Sequence, residues 1–297
     1  MKKSVFALAL LAGATAANAQ LLVGHDDTSG GPNAWEVDVT SGMSTVLWSG
    51  VEVWGMAYGN GLVYANDGSI LRSGPLGSGA PTNEVTITFA GAAKSMTGLA
   101  FANGFVYGTP NIANEAVYKI DPDTGVAEIA LDYEDGDFDF GGLAYNPADG
   151  LFYGTNDDTS PGSGLYSIDV FGSGAINLIT AYPAGETDID GLAIGNGIAY
   201  LVEDEAGDTI HRYDLGAGMY LSSLTSPMTS SEVFSGAAWV PAPGALALLG
   251  LGGLAAVRRR AHARSASSST SVSRRPASAR AHAGVAPPGT ASWSTHS

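Results

Sequence analysis

The sequence predicts an all-β chain folded as a β-propeller: five blades of four antiparallel strands, closed by pairing of the N- and C-terminal segments. Three observations lead there. A short phrase recurs five times, as Gly55-Met56-Ala57-Tyr58, Gly98-Leu99-Ala100-Phe101, Gly142-Leu143-Ala144-Tyr145, Gly191-Leu192-Ala193-Ile194 and Gly236-Ala237-Ala238-Trp239. Its leading glycines are 43, 44, 49 and 45 residues apart, and a period of roughly 40–50 residues built of short strands marks a propeller. Finally, the first unit lacks its opening strand, while the last phrase has no strands after it. The two ends therefore share one blade, which hides strand edges that would otherwise pair with other chains.

The segments follow in order. Residues 1–19 read as a secretory signal peptide: Lys2 and Lys3, an apolar stretch from Val5 to Ala16, and the small-x-small site Ala17-Asn18-Ala19, so that the mature chain begins at Gln20. In the first unit, Leu21-Leu22-Val23-Gly24-His25-Asp26-Asp27 aligns with Leu151-Phe152-Tyr153-Gly154-Thr155-Asn156-Asp157 as a second strand. Ala34 to Asp38 is its third strand and Thr45 to Trp48 its fourth. Later units repeat this grammar. Leu62 to Asn66 precedes Ser69 to Arg72, Phe105 to Thr109 precedes Ala116 to Asp121, and Ile198 to Val202 precedes Thr209 to Asp214. Residues 142–180 are the clearest unit: a small-residue strand, the turn Asn146-Pro147-Ala148-Asp149-Gly150, a second strand, an acidic loop, and the alternating strand Leu165 to Asp169. The recurring tyrosines, among them Tyr64, Tyr107, Tyr153 and Tyr200, are expected to pack between blades. Trp48, Trp54 and Trp239 are candidates for stacking on a sugar if they are exposed.

After the propeller, residues 241–260 form a second address. Val240-Pro241-Ala242-Pro243-Gly244 is a proline turn, Ala245 to Val257 is a short apolar segment, and Arg258-Arg259-Arg260 is a basic stop. This order resembles the PEP-CTERM sorting signal of Gram-negative bacteria that make extracellular polysaccharide. Pro241, Pro243 and the arginine run carry the resemblance, and Ala242 stands where the family has glutamate. The resemblance implies export across the inner membrane, processing by an exosortase-type membrane enzyme, membrane contact through 244–257, and residence in the cell envelope, at the surface or in extracellular polysaccharide. A plain C-terminal anchor or a buried helix is the alternative, and Ala245 to Val257 is too short to cross a bilayer unaided. The arginines favour the cytoplasmic side, so an anchor also leaves the propeller outside. Residues 261–297 are rich in Ser, Ala, Arg and Pro and carry no acid. Such a tail is expected to be disordered, and a frameshift would produce one like it; a basic interaction tail is the alternative.

Charge narrows the function. Residues 20–240 hold all 29 acids and only four bases, Arg72, Lys94, Lys119 and Arg212, a formal charge of −25 against −16 for the whole chain. Such a field repels nucleic acid and anionic lipid and suits cations, neutral sugars or solubility. The absence of cysteine excludes disulfide and thiolate chemistry.

Loops alternate between the two ends of a propeller. One end collects the loops between second and third strands together with those leading into the next blade, and most acids of note fall there. Asp135, Asp137, Asp139, Asp157, Asp158, Asp188 and Asp190 are the candidate metal ligands, because Ca²⁺ takes six to eight hard oxygens. Loops built from Asx-turn formers are the plainer account of the same residues. Asp121, Asp123, Asp149, Asp169 and Asp214 fall at turns on the other end and are expected to be structural. His211, on a third strand, reads as structural or solvent-facing.

Two functions stay open. The first is a non-catalytic binding or scaffold module for polysaccharide, cations or a surface protein, with an adhesive use of several blades as a variant. The second is a carbohydrate-active hydrolase or lyase with carboxylates at the channel mouth, where Glu52, Asp139 and Asp190 are the candidates by position. Such enzymes need two carboxylates facing one cleft about 5–10 Å apart. No nucleophile elbow, phosphate loop or zinc motif is written in the sequence.

Overall fold

The computed structural model describes residues 19–26, 31–110, 115–133, 138–203, 209–228 and 234–242. The signal peptide up to residue 18, Asp27, Asp135, Asp137, Pro243, the arginine run and the tail lie outside them. No helix among the described residues is long and apolar enough to cross a membrane.

The chain is a five-bladed β-propeller. Blade 1 contains β1 (Gln20–His25), β2 (Pro32–Asp38) and β3 (Ser44–Ser49), and blade 2 is β4 (Gly55–Gly59), β5 (Leu62–Asp67), β6 (Ile70–Pro75) and β7 (Asn83–Thr86). A small hairpin of β8 (Thr88–Phe89) and β9 (Ala92–Ala93) follows. Blade 3 is β10 (Gly98–Ala102), β11 (Phe105–Thr109), β12 (Ala116–Ile120) and β13 (Ala127–Asp132). Blade 4 is β14 (Phe140–Asn146), β15 (Leu151–Asn156), β16 (Gly164–Ile168) and β17 (Ile176–Ala181). Blade 5 is β18 (Gly191–Gly195), β19 (Ile198–Val202), β20 (Thr209–Asp214) and β21 (Met219–Thr225). The last strand, β22 (Ser235–Val240), pairs antiparallel with β1 as the inner strand of blade 1, so the ends share a blade as the repeat requires.

The repeated glycine has a steric reason. Inner strands of adjacent blades approach backbone to backbone, so a Cβ on Gly55 would stand 2.1 Å from the Thr97 carbonyl oxygen, and one on Gly142 2.2 Å from that of Asp190. Any side chain at these positions would push two blades apart.

The core is five seams, one per pair of neighbouring blades. Alternate residues of each strand face opposite seams, as the pleat dictates. Leu21 and Val23 pack toward blade 5 with Tyr200 and Val202, while Leu22 packs toward blade 2 with Trp48, Met56 and Val63. Tyr64, Tyr107, Tyr153 and Tyr200 are buried in these seams as expected. Trp48 is buried and cannot reach a sugar. Trp54 stacks on Phe234, with centroids 4.5 Å apart, and Trp239 stacks on Tyr200 at 5.3 Å.

The structure corrects the alignment of the first unit by one residue. Ala238 of the inner strand pairs with Leu22 as Ala144 pairs with Tyr153. Leu22 therefore occupies the tyrosine position, and Asp26 rather than Asp27 corresponds to Asp157. The apolar run Leu21-Leu22-Val23 is buried on both faces, so its hydrophobicity does not set register; pairing with the shared inner strand does.

At one end of the propeller, Asp38, Asp121, Asp169 and Asp214 each close the turn between third and fourth strands. Their carboxylates accept backbone N–H groups two to four residues ahead, at 2.8–3.1 Å. The central channel holds a cavity of about 50 Å³ lined by Tyr58, Phe101, Tyr145, Ile194 and Trp239 among others.

Candidate functional site

The other end brings carboxylates together where blades 4 and 5 meet. The loop at 182–190 crosses from β17, on the outside of blade 4, to β18, on the inside of blade 5. It carries Glu186, Asp188 and Asp190. Asp157 begins the loop after β15 and reaches across the seam: its Oδ1 accepts the Tyr182 hydroxyl at 2.9 Å and the Ile189 amide at 3.2 Å. One carboxylate oxygen from each of Asp157, Asp188 and Asp190 lies within 4.8 Å of the others. Asp188 is exposed and Asp157 partly buried, while Asp190 is only 3% exposed.

Local folding holds this arrangement. The Asp139 amide donates to Asn156 Oδ1 at 2.7 Å, and the Asp157 amide donates to the Asp139 carbonyl at 3.2 Å. The Asn156 side-chain amide in turn donates to the Asp158 and Gly162 carbonyls. Gly141 makes room for Asp190, because a Cβ there would sit 1.9 Å from Asp190 Oδ1.

Burial raises the cost of charge here. It pushes the Asp157 carboxyl up to about 8, with the neighbouring charges of Asp188 and Asp139 adding to the shift against the two hydrogen bonds. Asp139 rises to about 6, first through burial and then through Glu115, Asp158 and Asp188. Its Oδ1 is buried with no hydrogen-bond donor among the described residues. Crowded, partly dry carboxylates hold protons unless a cation replaces them.

Of the residues singled out in the sequence, Asp157, Asp188 and Asp190 form one cluster, with Asp139 and Asp158 as electrostatic neighbours. Asp135 and Asp137 lie outside the described residues. Glu52 is partly buried between β3 and β4, where blade 1 gives way to blade 2, and does not join the cluster.

A second group escaped the sequence reading. Glu186, Glu203 and His211 also place one ligand atom each within 4.8 Å of the others. His211 faces these acids rather than solvent and is 9% exposed. Aligning the repeats column by column would have revealed it, since Glu203 and His211 occupy the positions of Asp67 and Arg72, an ion pair at 2.5 Å in blade 2.

No protein-family model matches the chain, and no curated protein matches it. Solved structures resemble the chain to differing extents. A chain of a nidogen/laminin complex superposes with a TM-score of 0.52 at 12% identity, covering 75% of this chain and 98% of that one. A structural-genomics protein of unknown function from Bacteroides thetaiotaomicron gives 0.46 at 16% identity, covering 68% of this chain and 57% of that one. Myxococcus xanthus glutaminyl cyclase gives 0.32 at 23% identity, over 41% of this chain and 63% of that one. At 12% identity the likeness to the nidogen/laminin chain is one of fold.

Proposed function

We propose that this protein is an exported, non-catalytic binding propeller of the cell envelope or extracellular polysaccharide, and that its acidic end holds a divalent cation of the calcium class. The convergence of Asp157, Asp188 and Asp190 from two blades carries the cation reading. Buried Asp139 Oδ1 supports it as an acceptor with no donor among the described residues. All these ligand atoms are carboxylate oxygens, the donor set that suits calcium. A cation there would pin the loop at 182–190 to the blade 4 hairpin and present an ordered, hydroxyl-binding face to neutral sugars or to a surface protein. The order of proline turn, apolar segment and arginines supports sorting by an exosortase-type enzyme.

Calorimetric titration of Ca²⁺ into the purified protein tests this reading, with thermal melts in calcium and in chelator. One saturable site is expected. At a hundred times Kd it stabilises by about 2.7 kcal/mol, or about 5–11 °C in Tm for a domain of this size. Absence of both heat and shift sinks the calcium site and leaves the acids as surface charge.

One observation favours a second reading. Asp139, raised to about 6, shares this end of the ring with Asp190, and a carboxyl that holds a proton near neutrality can act as a general acid. New reducing ends released from polysaccharide, and lost in Asp139→Asn, would establish a hydrolase.

A further inference from the structure

The pair at the top of each second-to-third-strand hairpin differs from blade to blade. Blade 1 stacks His25 on Trp35, with centroids 5.2 Å apart. In blade 2, Arg72 sits between Asp67 at 2.5 Å and Glu84 at 3.1 Å, so a permanent cation serves two carboxylates. Blade 5 keeps two carboxylates but replaces the guanidinium with the imidazole of His211. Its Nε2 touches Glu203 Oε1 and lies 3.9 Å from Glu186 Oε1. The Glu203 and His211 side chains are 12% and 11% exposed.

At Nε2 an imidazole has one hydrogen or one lone pair to offer, against the several N–H donors of a guanidinium. It cannot serve two glutamates as Arg72 serves its two acids. A divalent metal can, because it bonds the nitrogen and both carboxylates at once. In a tetrahedral site with bonds of about 2.0–2.1 Å, ligand atoms stand about 3.4 Å apart. The 3.9 Å between His211 and Glu186 is close to that, and Glu203 reaches it by a small rotation away from the ring. Imidazole with carboxylates is a donor set for first-row transition metals rather than for calcium. The supports are firm on one side and adjustable on the other. His211 is held in β20 opposite a bulge of β21, Glu203 follows β19, and Glu186 comes from the crossing loop.

We propose that Glu186, Glu203 and His211 form a zinc-class metal site, separate from the all-oxygen cluster of Asp157, Asp188 and Asp190 and independent of the calcium reading. The crossing loop would then be fastened on both sides, to blade 4 through aspartates and to blade 5 through this site.

Cobalt reports on such a site by its visible d–d absorption. Co²⁺ is titrated into the full, metal-stripped protein, followed by competition with Zn²⁺ and with Ca²⁺. The expected result is a band that saturates at one equivalent, is removed by Zn²⁺ and survives excess Ca²⁺. His211→Arg rebuilds the blade 2 ion pair, so it should fold and melt at or above the parent protein yet give no band. Glu186→Gln, in the loop, should weaken cobalt binding at least tenfold, whereas Asp157→Asn should leave the band intact. No band at stoichiometric cobalt overturns the proposal and leaves His211 as the blade 5 counterpart of Arg72, paired with Glu203 alone. A band that survives His211→Arg, or that vanishes in Asp157→Asn alone, overturns it in favour of metal held by the aspartates.

Discussion

The two ends of the propeller carry the same residue type to opposite effect. At the turn end, Asp121 and Asp169 lie in water and accept backbone N–H groups, chiefly those of Asp123 and Thr124 and of Ser173, which hold their carboxyls below the usual range. At the loop end, burial pushes Asp157 and Asp139 up, and also Glu203, whose neighbour Glu186 adds to the rise against the pull of His211. A turn aspartate meets donors supplied by its own next few residues, whereas a loop aspartate meets other acids that the ring has carried to it. The first arrangement stabilises the charged form locally. The second stores a demand for positive charge, which is what makes one end a candidate site and the other a set of turns.

The strongest way to break this contrast is steric. Gly141→Ala places a Cβ 1.9 Å from the buried Asp190 carboxylate. It should cost about 1–3 kcal/mol, the usual range for overpacking, and erase the calcium-induced rise in Tm. Gly172→Ala makes a similar collision with Asp169, 2.5 Å away, but that exposed carboxylate can swing into water. Its cost in the same melts should be far smaller, and equal losses would show that the two ends do not differ in rigidity.

A pH series sharpens the contrast. In chelator, the folded protein keeps protons on Asp157 (about 8) and Asp139 (about 6), where an unfolded aspartate titrates near 3.8. Their contribution to stability is full below about pH 4 and is lost as pH rises through 6 and then 8. Tm should therefore fall by several degrees over that window. Asp157→Asn keeps an Oδ1 to accept from Tyr182 and Ile189, so it should flatten most of the slope and raise Tm at pH 8 without calcium. A Tm independent of pH from 4 to 8 would remove the argument for stored charge.

The smallest effect belongs to the turns. Asp169→Asn and Asp121→Asn keep an accepting oxygen and lose only the charge. Because the folded-state values are lowered, the contribution is present above about pH 4 and disappears as pH falls through them. A Tm lower by about 1 °C at pH 7, and unchanged near pH 2, is the expected signature. A larger loss at low pH than at neutral pH would reverse the sign of the comparison.

Much of the fold was legible because propeller strands are local hairpins. Gly55, Gly98, Gly142, Gly191 and Gly236 mark inner strands that tolerate no Cβ, and aspartates followed by turn residues mark the ends of third strands. The one-residue slip at Leu21 arose where both faces are buried and periodicity has nothing to report. The candidate site was legible in part. The acids of the loop end could be gathered by strand direction alone, but not sorted. That Asp157 joins Asp188 and Asp190, while Glu52 stays at another blade junction, depends on which loops cross the seam between blades 4 and 5. The meeting of His211 with Glu203 lies eight residues apart on one hairpin and was hidden because a single histidine carries no motif.

By itself, then, the sequence determined the number of blades, the shared closing blade and the chemistry of the turns, since each rests on contacts among residues near one another or on a steric rule repeated five times. Only the tertiary structure decided which carboxylates lose their water and which neighbours they then face. Desolvation and charge proximity are properties of closed space, and that space exists only once the ring has brought blade 4 against blade 5.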